Sequence, residues 1–270
     1  MMQTYSTLLV ETDPGGIVHL TLNRPQKRNA LSATMIEELT DFARSVGSSL
    51  STRAVILSGA GEVFCAGGDL GWMQAQIAAD RVGRMREARK LAEMLDALNR
   101  MPAPLIGYAH GGVFGGGIGL LCVCDLALAA DDTRFGLTET GLGLIPATIG
   151  PYVVARMGEG YARRIFMSSR IFAAPEARDL GIIARSVPRE ALAEAAATEA
   201  LPYLSVAPGA VGAAKALARR LGPVIDDAVL DATIEALADV WETAEAREGI
   251  SAFLEKRPPK WKMQGNGGAA

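Results

Sequence analysis

The stretch "GGVFGGGIGL" (111–120) carries the first strong indication of the fold. Six of its ten residues are glycine and the other four are apolar, so it offers no group that titrates or binds a metal. It follows "PLIGYA" (104–109), which has the composition of a strand, and it precedes an apolar segment (118–123) long enough to begin a helix. Glycine between a strand and a helix lets backbone N–H groups approach a ligand closely. Tight packing of a buried helix start is the alternative explanation from these residues alone.

A second glycine turn has the same setting. "EVFCAGGDLGWM" (62–73) follows the strand predicted at "RAVILSG" (53–59) and places Asp69 in the first turn of a helix, where capping explains it. Neither turn fits a nucleotide-binding motif, since there is no G-x-G-x-x-G in the right register and no G-x-x-x-x-G-K-[ST]. Two such turns after two strands could supply two converging N–H donors. That is the requirement of an oxyanion hole.

Strand and helix patterns alternate along most of the chain, which predicts an α/β core with parallel pairing. The predicted strands are 16–23, 53–59, 104–109 and 124–130, and the clearest predicted helices are 32–46, with Ser32 as N-cap, and 84–98. From Pro188 onward the pattern is helical only, in three segments that each begin with proline. We therefore predict a core over residues 1–187 and a helical C-terminal region over 188–270, with a disordered tail "QGNGGAA" (264–270).

Composition excludes several classes of protein. Apolar residues make up 49% of the 270 residues, enough for a large core, and a net charge of −3 without a basic run argues against nucleic acid as a partner. No charge-free run is long enough for a membrane span, and the N-terminus does not resemble a signal peptide, so we expect a cytoplasmic protein. Cys65, Cys122 and Cys124 suit neither a zinc site nor a disulfide framework. We expect reduced, apolar cysteines and no bound metal.

Five motifs, in one order along the chain, resemble the enoyl-CoA hydratase/isomerase (crotonase) superfamily. They are "NRPQKRNAL" (23–31), "FCAGGDL" (64–70), "GGVFGGGIGLLCVCD" (111–125), "FGLTETGLGLIP" (135–146) and "EGISAFLEKR" (248–257). The resemblance implies a spiral of β-β-α repeats and a helical C-terminal region that builds trimers, usually paired into hexamers. It also implies an acyl-CoA thioester substrate. Coenzyme A would then be part of the substrate, and no separate cofactor is expected.

The resemblance also assigns roles by position in the motifs. The backbone N–H groups of Gly68 and Gly116 would form the oxyanion hole for the thioester carbonyl, so the glycine stretches would act through their backbone. Apolar residues after the first glycine turn and near the fourth motif would line the acyl pocket, namely Trp72, Met73 and Leu142. Coenzyme A would bind along Lys27, Arg28, Ala30, Ala66 and Leu70, with Phe253 and Lys256 reaching its nucleotide end from a neighbouring subunit.

The acid–base residues depart from the pattern of the family. Most hydratases of the family carry two glutamates, and here the first position is Gly119 while the second is Glu139. A carboxyl buried in an apolar pocket has a raised pKa and suits proton transfer at carbon. Without the resemblance, Glu139 would be interpreted as a surface residue at a strand end. Asp69 and Asp125 are not persuasive substitutes for the missing glutamate, because a helix cap and a structural hydrogen bond explain them.

Three functions remain open from the sequence. The first is hydration of a 2-enoyl-CoA whose acyl group is branched or carboxylated, because "CAGGDLGWM" and "TETGLGLIPATIGPYVVARMG" resemble the branch acting on 3-methylglutaconyl-CoA and related esters. The second is a 3,2-enoyl-CoA isomerase, for which one glutamate suffices. The third is a catalytically silent acyl-CoA binding protein. Glu139 beside an intact oxyanion hole argues against the third.

Overall fold

The computed structural model describes residues 4–263, whose strands form two sheets. The strands are β1 (Leu8–Thr12), β2 (Ile17–Leu22), β3 (Ala54–Gly59), β4 (Leu105–Ala109), β5 (Gly112–Phe114), β6 (Leu126–Ala130), β7 (Arg134–Gly136), β8 (Ile171–Ala173) and β9 (Arg185–Val187). The larger sheet has the order β1-β2-β3-β4-β6-β9 and is parallel except for the β1–β2 pair, while β5, β7 and β8 form the smaller sheet. The predicted α/β core with parallel pairing is confirmed.

Helices lie between the strands and also make up the C-terminal part of the described chain. They are α1 (Ala33–Arg44), α2 (Leu70–Ala78), α3 (Arg81–Arg100), α4 (Gly116–Val123), α5 (Gly150–Met157), α6 (Glu159–Phe166), α7 (Ala174–Asp179), α8 (Leu192–Ala200), α9 (Pro208–Leu221), α10 (Asp227–Trp241), α11 (Ala244–Leu254) and α12 (Lys260–Met263). Short 3-10 helices lie at Pro25–Lys27, Glu139–Leu142, Arg189–Ala191 and Leu201–Ser205. Across residues 4–263, no helix is both long and apolar enough to cross a membrane.

Local sequence explains the long elements well. Ser32 caps α1 by accepting a hydrogen bond from the Met35 N–H. Helix α3 starts three residues before the predicted Arg84, because the Asp80 side chain caps it by accepting from the Gly83 N–H. All six residues of β3 are buried, as expected for a central strand of a parallel sheet covered on both faces. These three elements build the core against which the cavity described below is formed.

The four shortest strands after β4 were not predicted from the sequence. β5 lies inside the glycine stretch, where we expected only a turn, and β7, β8 and β9 are each three residues long. Strands of this length have too few residues for a periodic pattern, and tertiary pairing decides them. In β5, Val113 forms a bridge with Cys65, which ties the second glycine turn to the first.

The C-terminal region is helical from residue 188 to the end of the described chain, as predicted. The expectation that each helical segment begins with its proline holds at Pro208 but is wrong after Pro223, because α10 begins at Asp227 and is capped by Asp226. Helix α8 packs on the outer face of the larger sheet in a cluster of apolar residues that includes Ile56, Ile106, Leu128, Leu192 and Ala196. The division at residue 188 stays a prediction, and the tail 264–270 lies outside the described residues.

Candidate active site

The motif "NRPQKRNAL" folds as a tight loop that is fixed from inside. Arg28 and Asn29 both adopt left-handed backbone conformations, with φ of 53° and 51°. Asparagine tolerates this region better than most residues, and the buried Asn29 amide donates hydrogen bonds of 2.8 and 2.9 Å to the carbonyls of Ala60 and Val63. The loop is thereby joined to the turn after β3. As a result, Lys27 and Arg28 lie beside the first glycine turn.

The first glycine turn runs alongside this loop. The Leu31 N–H donates to the Gly67 carbonyl at 2.8 Å, and the Asp69 N–H donates to the Leu31 carbonyl at 3.0 Å. Gly68 lies between these two bonds, and within the described chain its own N–H has no hydrogen-bond acceptor. The turn therefore presents one unpaired backbone donor at the start of α2.

The second glycine turn packs directly against the first. The Phe114 N–H donates to the Cys65 carbonyl at 3.0 Å, and a Cβ on Gly67 would lie 3.1 Å from the Phe114 carbonyl oxygen. Gly67 and Gly115 both have positive φ, of 91° and 47°, so glycine is required at each. The next residue, Gly116, is the first of α4, where an N–H has no partner inside the helix. Among residues 4–263 nothing else accepts a hydrogen bond from it.

A cavity of about 1030 Å³ opens on the two turns and contains nearly all the residues that the sequence assigned to the site. Its lining includes Lys27, Arg28, Ala30, Ala66, Gly68, Leu70, Trp72, Met73, Gly116, Glu139, Leu142 and Phe253. Lys256 does not line this cavity. Phe253 lines the cavity of its own chain, and its predicted contact with a neighbouring subunit stays a prediction, as does that of Lys256.

Glu139 is the acidic residue best placed for proton transfer in the cavity. It begins the 3-10 helix that follows β7, and the residue is half-buried, with its Oε2 atom shielded from solvent. Within the described chain its Oε2 atom has no hydrogen-bond partner. Its Oε1 atom lies so close to Gly115 that a Cβ added to this glycine would be only 2.9 Å away. Burial raises the pKa of Glu139 from 4.5 to about 7. The carboxyl group can therefore take up and release a proton near neutral pH.

The position of the absent glutamate, Gly119, is filled by hydrocarbon from elsewhere in the chain. A Cβ on Gly119 would lie 2.7 Å from Cγ2 of Ile149 and 3.7 Å from Cδ1 of Leu95. Ile149 lines the cavity, whereas Gly119 does not. Gly119 thus carries no second carboxyl group, as the sequence indicates, and the space beside it is occupied by packed side chains. Nothing in the local sequence could reveal it, because Ile149 lies thirty residues further along the chain.

The two aspartates weighed as substitutes are tied into the fold. Asp69 caps α2 through the N–H groups of Gly71 and Trp72 and forms an ion pair of 2.9 Å with Arg24. Burial would raise the pKa of Asp69, yet the hydrogen bonds from Arg24 and the two amides hold it below its usual range. Asp125 lies apart from the cavity lining and accepts from the Leu105 N–H and from Lys215. The structural interpretation of both residues is confirmed.

Four cationic side chains of the described residues line the cavity. Lys27 and Arg28 come from the first motif, and Arg257 and Lys262 come from the C-terminal helices. Arg257 is engaged by Glu248 and Glu255, whereas in the described chain Lys27, Arg28 and Lys262 have no carboxylate within salt-bridge distance. Several cations from distant segments in the lining of one cavity suit a phosphorylated ligand. The sequence missed Lys262, since its place depends on how α11 and α12 fold back over the core.

Thiol and metal chemistry receive no support from the described residues. Cys65, Cys122 and Cys124 are buried and free, and burial raises the pKa of each thiol to about 12. Between residues 4 and 263, no group of three His, Cys, Asp or Glu side chains lies close enough to hold a metal ion. The cysteines behave as the small apolar residues that the sequence predicted.

Comparison with known proteins adds to this geometry. The profile of the family described as enoyl-CoA hydratase/isomerase matches residues 12–264. Mitochondrial methylglutaconyl-CoA hydratase from Mus musculus is 32% identical over 94% of this chain and 82% of its own length. The 2,3-dehydroadipyl-CoA hydratase of Escherichia coli K12 is 31% identical over 91% of this chain and 95% of its own. The crystal structure of an enoyl-CoA hydratase from Shewanella pealeana superposes with a TM-score of 0.77 at 35% identity, covering 94% of this chain and 96% of that one. The predicted fold class is confirmed.

Proposed function

The chain belongs to the enoyl-CoA hydratase/isomerase family, and we propose that it is a hydratase that adds water to a 2-enoyl-CoA thioester. One observation carries the proposal. Of the two carboxyl groups in the described cavity lining, Asp69 is held by a cap and an ion pair, while Glu139 has no partner at its Oε2 atom and its pKa is raised by burial to about 7. Such a group can act first as a base and then as an acid in one reaction cycle.

The two glycine turns supply the electrostatic part of the mechanism. The thioester carbonyl oxygen would accept hydrogen bonds from the N–H groups of Gly68 and Gly116, which lack acceptors in the described chain and lie on turns that touch each other. Negative charge develops on that oxygen as the enolate forms, and each such donor is typically worth about 3 kcal/mol of barrier. Side chains at Gly67 or Gly115 would separate the turns. The two backbone N–H groups can therefore bind the thioester oxygen only because these residues are glycines.

Proton transfer then falls to Glu139 alone. Ionised Glu139 takes a proton from water as the water oxygen bonds to C3, and the electrons of the C2–C3 double bond move to the thioester oxygen. The enolate collapses as neutral Glu139 gives the same proton to C2. The thioester carbonyl and the ionised carboxyl are both restored, and the net change is addition of one water. A pKa near 7 lets the group serve in both directions.

The acyl group that we propose is carboxylated or branched. Two relatives that are about 30% identical are named as hydratases of methylglutaconyl-CoA and 2,3-dehydroadipyl-CoA, and both acyl chains are dicarboxylic. Lys27, Arg28 and Lys262 would hold the phosphates of coenzyme A, which is part of the substrate and would also lie along Ala30, with its adenine near Ala66 and Leu70. Assembly into trimers or hexamers, with Lys256 completing a neighbour's site, and the cytoplasmic location are part of the same proposal.

A 3,2-enoyl-CoA isomerase is the second candidate, and the packing around Gly119 favours it. Because Ile149 and Leu95 occupy that position, one carboxyl group must carry out all the proton chemistry. Isomerisation needs only one: Glu139 removes a proton from C2 of a 3-enoyl-CoA, the enolate forms on the thioester oxygen, and the proton returns at C4. Hydration by one carboxyl group conserves atoms and protons just as isomerisation does. The names of the two relatives favour hydration.

The deciding experiment follows the mass of the product. The purified protein is incubated in ¹⁸O-labelled water with 3-methylglutaconyl-CoA, crotonyl-CoA and 3-hexenoyl-CoA. The thioesters are separated by reversed-phase chromatography, which resolves the double-bond isomers, and their masses are then measured. A hydratase yields a product heavier by one labelled water from a 2-enoyl ester. Conversion of the 3-hexenoyl ester at unchanged mass, with no hydration of either 2-enoyl ester, would establish the isomerase instead. If all three esters bind without being converted, the chain is the silent acyl-CoA binder.

A further inference from the structure

A second, small cavity lies directly behind the wall of the main one, where α2, α3 and α10 meet. Its volume is about 10 Å³, and it shares Trp72, Leu237 and Trp241 with the main cavity. Gln76 and Arg84 also line it. Only side chains therefore separate this space from the space where an acyl chain would lie.

Two buried polar atoms at this place have no hydrogen-bond partner in the described part of the chain. They are Nε1 of Trp72 and Oε1 of Gln76, and the Gln76 residue is only 4% exposed. An unsatisfied buried polar group destabilises the fold, so native folds rarely leave two together. The space would hold at most one water. The Gln76 amide can turn either its oxygen or its NH₂ group toward the space, since the two differ by a half-turn.

Arg84 adds a positive charge to the same place. Its Nε atom donates to the Gln76 carbonyl at 2.8 Å, and its guanidinium lies 5.6 Å from the centre of the Trp241 ring. No carboxylate in residues 4–263 lies within salt-bridge distance of Arg84. One turn earlier on α3, Arg81 is neutralised by Asp239 at 2.7 Å and Glu242 at 3.2 Å. Arg84 is thus fixed in place by its backbone bond and its aromatic contact while its charge stays unmatched.

We propose that Trp72, Gln76 and Arg84 form a subsite for the distal carboxylate of a dicarboxylic acyl chain. An indole N–H, an amide NH₂ and a guanidinium are all donors, and a carboxylate is the acceptor that satisfies them together. A carboxylate is larger than the single water it would replace, so the Leu237 side chain must rotate aside to admit it while the Trp72 N–H stays in place. This inference rests on the proposed function, because the acyl chain must enter the main cavity as a coenzyme A thioester.

Binding of unreactive esters tests the subsite without turnover. Adipyl-CoA and hexanoyl-CoA have acyl chains of the same length and differ in the distal carboxylate, and isothermal titration gives a dissociation constant for each. We expect the wild-type protein to prefer adipyl-CoA. Arg84→Gln should reduce the ratio of the two constants by ~10–100-fold, and Trp72→Phe, which keeps a ring and removes the N–H, should reduce it by several-fold. Arg81→Gln is the matched control and should leave the ratio unchanged.

The outcomes separate this inference from the proposed function. A wild-type protein without preference for adipyl-CoA, or an unchanged ratio in both Arg84→Gln and Trp72→Phe, would overturn the subsite. If the preference and its loss are found but no 2-enoyl ester is hydrated, the subsite stands and the hydratase proposal fails. With hydration present, Arg84→Gln should raise KM for 2,3-dehydroadipyl-CoA far more than it lowers kcat. A loss in kcat alone would instead indicate a disturbed active site and contradict the subsite.

Discussion

The 3-10 helix at Glu139–Leu142 and the helix α4 are two regions where a member of this family can carry an acid–base glutamate. On the first, the half-buried Glu139 lies beside Gly115, and the partial burial of its carboxyl group raises the pKa to about 7. On the second, Gly119 is covered by Ile149, and the space of a side chain is already occupied. One region therefore carries a titrating group, and the other is packed with hydrocarbon. A side chain at Gly119 would meet Ile149, so a single substitution there does not by itself make room for a second carboxyl group.

Removal of the one titrating group should have the largest effect. Glu139→Gln keeps the size of the side chain but cannot exchange a proton, so we expect kcat to fall by at least ~10²–10⁴-fold with little change in substrate binding. The measurement is a steady-state assay on the best acyl-CoA ester. Asp125→Asn is the matched control, because this carboxylate lies outside the cavity lining and should affect stability more than rate. A folded Glu139→Gln protein with wild-type turnover would exclude Glu139 as the base, and both enzymatic candidates with it.

Displacement of the same carboxyl group should have the next largest effect. Gly115→Ala places a Cβ 2.9 Å from Oε1 of Glu139 at a residue with φ of 47°, so both the carboxyl and the turn must shift. Misplacement by about 1 Å costs on the order of 10²-fold in rate. Gly160→Ala is the control, since a Cβ there meets no atom within 4 Å. Equal activities of the two variants would mean that the position of Glu139 is not critical.

The raised pKa of Glu139 should also appear in the stability of the protein. The folded state holds the proton of Glu139 up to about pH 7, whereas the unfolded chain loses it near 4.5, so this group makes stability fall as pH rises between the two values. The full cost, reached above pH 7, is about 3 kcal/mol. Urea unfolding of the wild type and of Glu139→Gln from pH 4 to pH 8 measures the difference. The variant should gain stability relative to the wild type with rising pH, and parallel curves would show that Glu139 is not protonated at neutral pH.

Much of the candidate site could be predicted from the sequence. The remaining features depend on contacts between residues that are far apart in the chain. The motifs identified the loop at Lys27, both glycine turns and Glu139, because each lies in a short stretch with a distinctive composition. The packing of Ile149 on Gly119 could not be predicted, since local sequence does not say which apolar residue meets a glycine on another helix. The place of Arg84 behind Trp72 depends in the same way on the packing of α10 against α3.

Helix α4 itself offers the smallest and most direct test of the packing at Gly119. Gly119→Ala adds one methyl group 2.7 Å from Cγ2 of Ile149 and should destabilise the protein by about 1–3 kcal/mol, as overpacking of a core does. Ile149→Ala removes the opposing carbons, so the double variant should be more stable than the sum of the two single changes predicts. Chemical unfolding of the four proteins gives this interaction free energy directly. Strict additivity would mean that Ile149 does not fill the space at Gly119. A favourable interaction free energy would support a further comparison, of Gly119→Glu alone with Gly119→Glu combined with Ile149→Ala. A second carboxyl group can be introduced at this position only together with Ile149→Ala.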